Sequence, residues 1–255
     1  MTADAGTYLY AVARDTGTDP PGGLTGVSGT PVRRIAHRGL AAYVSTVPLD
    51  RYGEEPLRRS MEDLDWLDET ARAHHRVVAA VAADAPAVPV RLVTVYSGDE
   101  QVRALLDRRR DGFEQALSRI SGRSEWGVKM YAAPDRAPEP EPSGTGGPGA
   151  AYLRRRRAGL RSREEMWRRA GIRAERAHDT LASVAVAARR HRPQDPKLSG
   201  RREAMILNGA YLVDDDRGGA FRHTVDELRA EGDHLELTGP WAPYSFAELD
   251  DEDEP

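Results

Sequence analysis

The sequence predicts an α+β protein built from two units: an N-terminal small α/β unit (βββαβα) over residues 1–122, and a C-terminal ferredoxin-like unit over 123–247 with a long basic helix. Three observations predict it. Strand-like and helix-like stretches alternate in two successive series. The second series reads βαβαβ, with room for an extra short strand near Gln194 to Arg202, and suits a ferredoxin-like sandwich. A chain of 255 residues with 39% hydrophobic and 31% charged residues can fill two small cores, and two units suit this order better than one doubly wound sheet.

Thr7 to Ala13 is β-branched and aromatic and opens the first unit as a strand. Asp15 to Pro31 holds five glycines and three prolines and reads as a loop. Val32 to Ala36 and Leu40 to Val47 are strands of a hairpin turning at His37-Arg38-Gly39, where Gly39 supplies a positive φ. Ser60 to Ala85 is the first long helix. Ser60 serves as its cap, Leu64, Leu67, Ala71, His74, Val78 and Val81 form one face, and Pro86 ends it. Val88 to Tyr96 is continuously apolar and predicts a buried central strand. Asp99 to Ile120 follows as a helix interrupted at Gly112.

The second unit opens with a strand over Glu125 to Ala132. Pro134 to Gly149 is a solvated Pro/Gly-rich loop within that unit, and leads into a helix over Ala151 to Arg192. Leu153, Leu160, Trp167, Ala174, Leu181 and Ala188 recur every seven residues, with Ala170, Ala177 and Val184 as a second row. Arg156 and Arg163 take that second row in the first two heptads, so the seam is incomplete there. A strand over Ala204 to Val213, a turn at Asp214 to Gly219, a helix over Ala220 to Ala230 and a strand over His234 to Thr238 complete the unit. The acidic tail, 248–255, reads as disordered.

Composition removes several functions. The chain has no cysteine, which excludes disulfides, thiolate metal sites and thiol nucleophiles and suits a reducing, cytoplasmic compartment. No run approaches the roughly 18 apolar residues that cross a bilayer, and Met1 to Tyr8 lacks the basic start of a signal peptide, so no lipid-membrane partner is expected. Of 37 basic residues only Lys129 and Lys197 are lysines, which leaves 35 arginines, an excess that fits GC-rich coding.

Catalytic and cofactor motifs fail in turn. Gly144 to Gly149 spells G-x-G-x-x-G, but no strand delivers the chain into it, so it is low-complexity sequence. Adjacent His74 and His75 point about 100° apart on a helix and make no two-ligand face, and Asp214 to Gly218 lacks the glycine and glutamate of a calcium loop. No serine-nucleophile elbow or P-loop occurs. No metal, cofactor or catalytic residue is expected. Ala151 to Arg192 carries 13 arginines against four acids, a grip for phosphates in principle, but the net charge of −4 and the absence of interleaved aromatics turn the expectation away from nucleic acid. Trp241, Tyr244 and Phe246, set in Gly239-Pro240-Trp241-Ala242-Pro243-Tyr244-Ser245-Phe246, read as a lock over the last strand or as an aromatic contact surface.

Seven stretches together resemble the gas vesicle protein F/L family. They are Tyr8 to Val12, Gly39 to Ser45, the Trp66 to Val78 helix with Ala71 to His74, Val88 to Arg91 with Thr94 to Tyr96, Glu125 to Lys129, Ala210 to Val213, and Thr238 to Phe246. The last is the most specific. The chain departs from the family at Ala242, where proline is frequent, and at Leu92-Val93, where Phe-Gly is frequent. The resemblance implies a two-domain, non-enzymatic accessory or minor vesicle component that binds the apolar shell protein and other vesicle proteins during assembly. Trp241, Tyr244 and Phe246 then become candidates for apolar contact, and Arg154, Arg155, Arg156 and Arg157 for electrostatic docking. A small-molecule enzyme on the ferredoxin-like unit and a nucleic-acid binder acting through the arginine-rich helix stand as the alternatives.

Overall fold

The structure, a computed structural model, describes residues 5–132, 148–194 and 203–247, without the side chains of 148–159 and 162–163. Two compact units emerge: residues 1–125 with 240–255, and residues 126–239. The fold is α+β, with two four-stranded sheets. Of the loop expected over Pro134 to Gly149, residues 148–149 belong to the following helix and the rest lies outside the described residues, as do the tail and, but for Gln194, the optional strand near Gln194 to Arg202.

In the first unit the strands are β1 (Ala5–Arg14), β2 (Val32–His37), β3 (Leu40–Pro48) and β4 (Ala87–Tyr96). They order as β2-β3-β1-β4 with every neighbour antiparallel. β1 is buried along its length because helices cover both faces of the sheet. On one face Tyr8, Tyr10 and Ala13 pack with Ala73, Val77 and Val81 of α3 (Leu64–Asp84). On the other, Leu9 and Val12 meet Val102 and Leu106 of α4 (Asp99–Arg108) and Phe113 and Leu117 of α5 (Arg110–Ile120). The register slips between Leu9 and Ala11, and this bulge sends both Tyr10 and Ala11 towards α3.

Three expectations for this unit change. β4 lies at the sheet edge, not at its centre; its apolar run is covered by helices instead of by a further strand. Asp63, not Ser60, caps the long helix: its Oδ1 accepts from the N–H groups of Asp65 and Trp66, and the preceding chain forms the short helices α1 (Leu49–Tyr52) and α2 (Glu54–Ser60). The helix after β4 breaks at Arg109 (φ −106°, ψ 17°), while Gly112 sits inside the first turn of α5. The hairpin forms as expected, with Arg38 and Gly39 both at positive φ in a two-residue turn.

In the second unit β5 (Arg123–Tyr131), β6 (Ala187–Arg190), β7 (Met205–Asp214) and β8 (His234–Trp241) order as β6-β7-β5-β8. Numbered within their own units, both sheets run 2-3-1-4, the ferredoxin-like order. In the first unit, however, a loop with a single 3-10 turn at Val27–Gly29 stands where a ferredoxin-like unit carries its first helix. The second unit has both helices, α6 (Pro148–Val184) and α7 (Gly218–Ala230). Ala174, Ala177 and Leu181 of α6 join Phe221, Val225 and Leu228 of α7 over Val128, Met130, Leu207 and Tyr211. The helix expected to reach Arg192 ends at Val184, because Ala187–Arg190 pairs antiparallel with Gly209–Leu212 of β7; ladder formation overrides the helical preference of Ala-Ala-Arg-Arg.

Candidate functional site

Residues 240–247 were expected to belong with the second unit; they pack instead in the first. Ala242 and Tyr244 join the α3-side core, and Ala247 the α4/α5-side core. Pro240 and Pro243 restrict the course, and two backbone hydrogen bonds tighten the end: Tyr244 N–H to the Ala242 carbonyl, and Phe246 N–H to the Pro243 carbonyl. Glu125 then clamps the segment. Its Oε2 accepts from the Ser245 N–H and its Oε1 from the Ser245 hydroxyl, each at 2.7 Å.

The three aromatic residues therefore part company. Phe246 is buried. The Tyr244 ring lies 6.5 Å from that of His74 and 6.2 Å from that of His75, and its hydroxyl is buried with no partner among the described residues. Burial and the nearby Glu125 charge raise the Tyr244 phenol above its ordinary range. Trp241 alone faces water. Its ring meets the His75 ring edge-on at 5.2 Å and remains 45% exposed.

Beneath this segment lies a buried ring cluster. His74 Nδ1 sits 3.1 Å from the Tyr8 hydroxyl, which also accepts from the Val93 N–H at 3.0 Å. Tyr10 and Tyr52 complete the cluster, each within 6 Å of the Tyr8 ring. Burial pushes the His74 imidazole down to about 4, the Val90 carbonyl only partly opposing it and His75 adding to it. His74 is thus a neutral structural residue, held by the hydrogen bond between its Nδ1 and the Tyr8 hydroxyl.

Val93, whose N–H supports Tyr8, has φ +64°. A β-branched residue there is an outlier, and it marks where β4 swells: Leu9 pairs with Thr94 but Ala11 pairs with Pro89. Beside this bulge lies an open cleft of about 310 Å³, lined by Val90, Arg91, Tyr96, Arg109 and Phe113 among others. No carboxylate or imidazole is among its described lining residues, so it offers guanidinium and hydroxyl groups without an acid–base pair. Among the described residues no group of three potential ligands could hold a metal.

Arg154, Arg155, Arg156 and Arg157 lie in the first turns of α6; their side chains are outside the description. Further along, carboxylates hold several arginines of the same stretch: Arg173 pairs with Asp233, Arg176 with Glu231 at 2.8 Å, and Arg190 with Glu175 at 2.7 Å. Sequence reasoning missed the Glu125–Ser245 clamp and the exposed Leu160 and Trp167 on α6, although the seven-residue spacing marked both of the latter.

Comparison with known proteins places this geometry. A family model described as gas vesicle synthesis protein GvpL/GvpF matches residues 6–248. Gas vesicle protein L of a Streptomyces species is 44% identical, with 99% of this chain and 97% of that protein covered. Gas vesicle protein F of the same organism is 27% identical over 95% of this chain and 99% of its own length. The crystal structure of GvpF from Anabaena superposes with a TM-score of 0.72 at 17% identity, covering 98% of this chain and 99% of that one. GvpF from Microcystis aeruginosa gives 0.66 at 19% identity, covering 96% and 99%. The fold and the match across nearly the whole length agree: the chain belongs to the GvpL/GvpF family of gas vesicle proteins.

Proposed function

We propose that this protein is a non-enzymatic accessory component that binds the apolar shell protein of gas vesicles, together with other vesicle proteins, during assembly in the cytoplasm. The observation that carries this reading is Trp241: a large aromatic side chain left exposed at the end of a segment fixed by buried Phe246, half-buried Tyr244 and the Glu125–Ser245 clamp. An exposed tryptophan on a rigid support is a favourable contact, because little side-chain entropy remains to be lost on binding. A small apolar shell subunit exposes greasy surface and strand edges until it is incorporated, and these are what a chaperoning partner must cover. Tyr244 and Phe246 act by holding Trp241, and Arg154 to Arg157 supply the electrostatic part of docking.

The enzyme alternative receives little support from a cleft without a carboxylate or imidazole among its described lining. The nucleic-acid alternative is weakened by the carboxylates that pair with Arg173, Arg176 and Arg190. Capture of the shell protein by the wild type and by Trp241→Ala tests the reading. Reduced recovery by a folded variant supports it, and equal recovery removes the aromatic contact.

A further inference from the structure

The long helix α6 carries one apolar seam with two fates. Over Ala174, Ala177 and Leu181 the seam is fully apolar and is buried on the second sheet. One and two heptads upstream the same seam continues through Trp167 and Leu160, and both are exposed, at 44% and 55%. Met166 and Ala170, on the same face by helical spacing, are half-buried. A tryptophan and a leucine about 10 Å apart along one helix face form a row of the kind that a second helix covers.

The residues between them define what could cover it. In the three-four spacing of the seam, Leu153, Leu160 and Trp167 alternate with Arg156 and Arg163. Arginine at a seam position is costly against an apolar neighbour and favourable against a carboxylate. From Pro148 to Arg173 the helix carries nine arginines against Glu164 and Glu165, a net charge of +7. A second copy of this helix would bring two such charges together, which disfavours self-pairing. Arg161 and Arg168 meet no carboxylate within salt-bridge distance among the described residues, whereas Arg173 and Arg176, where the helix joins the core, do.

We propose that the Leu160–Trp167 face of α6 is the docking surface for an acidic amphipathic helix of another protein, with apolar residues covering Leu160 and Trp167 and carboxylates meeting Arg156 and Arg163. This rests on the reading of the chain as a protein-binding accessory and adds the chemistry of one partner. It assigns Arg156 and Arg163 a role apart from general attraction: they select against apolar and basic helices.

The test uses the full-length protein and two labelled 28-residue helical peptides, one alternating Leu and Glu at the seam positions, the other Leu and Lys. Fluorescence anisotropy is read at 50 and 300 mM NaCl. The Glu peptide should bind, weakening at least tenfold between the two salt concentrations, while the Lys peptide should not. Leu160→Ala with Trp167→Ala should weaken the Glu peptide tenfold or more, and Arg156→Glu with Arg163→Glu should reverse the preference. Leu160 and Trp167 are exposed, and circular dichroism verifies that each variant remains folded. Equal binding of the two peptides, no binding of either, or an undiminished affinity in the Leu160/Trp167 variant overturns the proposal. Self-association abolished by the same substitutions, or displacement of the Glu peptide by duplex DNA, overturns it as well. If the shell protein is still captured through Trp241 while the Glu peptide fails, this inference falls alone. If the Glu peptide binds and the shell protein does not, the broader reading falls alone.

Discussion

Glu125 accepts both donors of Ser245, the backbone N–H and the hydroxyl, each at 2.7 Å. Residues 120 positions apart thereby fix the aromatic C-terminal segment to the first unit, and this fixation makes Trp241 a rigid feature instead of a loose end. Glu125→Ala leaves the Ser245 donors without that partner. Loss of two hydrogen bonds to a charged acceptor costs about 3 kcal/mol or more. Hydrogen exchange should show residues 240–247 losing protection while the central strands β1 and β3 keep theirs.

Phe246 and Trp241 should respond oppositely. Phe246 is buried, and Phe246→Ala should destabilise the protein by about 3 kcal/mol or more in chemical denaturation. Trp241→Ala removes a half-exposed ring and should cost under about 1 kcal/mol, with its effect appearing in partner capture. Similar stability losses for both substitutions would make Trp241 a packing residue.

Val93 is held at φ +64°. Val93→Ala loses the two methyl groups and keeps the strain, whereas Val93→Gly loses the Cβ as well but relieves it. The glycine variant should therefore be the more stable of the two by about 1 kcal/mol, the cost of a left-handed conformation for a residue with a Cβ. Urea midpoints of the two variants decide it.

His74 gives the fold an acid-sensitive element. Its imidazole titrates at about 4 in the folded protein against 6.5 in an exposed reference, because burial penalises the charged form. The unfolded chain binds the proton first on acidification, so stability from this group is complete above about pH 7 and declines as pH falls from 6.5 towards 4. The full loss is about 3 kcal/mol. Stability measured between pH 7.5 and 5 should fall more steeply in the wild type than in His74→Gln. Parallel slopes would contradict the buried neutral state.

Much of this was legible in the sequence because local chemistry and final packing agree. The Arg38-Gly39 hairpin, the α3 face through His74, Val78 and Val81, and the two-unit α+β composition follow from turn residues and periodicity. What escaped was set by partners distant in sequence. The apolar run of β4 looks central, but its neighbours are helices. Ala187–Arg190 favours a helix by itself, and pairs with β7 because the sheet edge offers its backbone a ladder. At the candidate site, periodicity and composition singled out Trp241, Tyr244 and Phe246 together. Only the course of the chain back onto α3 separates the exposed ring from the two that anchor it.

The most direct test is recovery of the shell protein from cells that express the vesicle cluster, with the wild-type chain, Trp241→Ala and a quadruple Ala replacement of Arg154 to Arg157 compared at equal folded concentration. The account predicts retention by the wild type, marked loss with Trp241→Ala, and a loss with the arginine variant that grows as salt is lowered. Undiminished retention by both folded variants would contradict it.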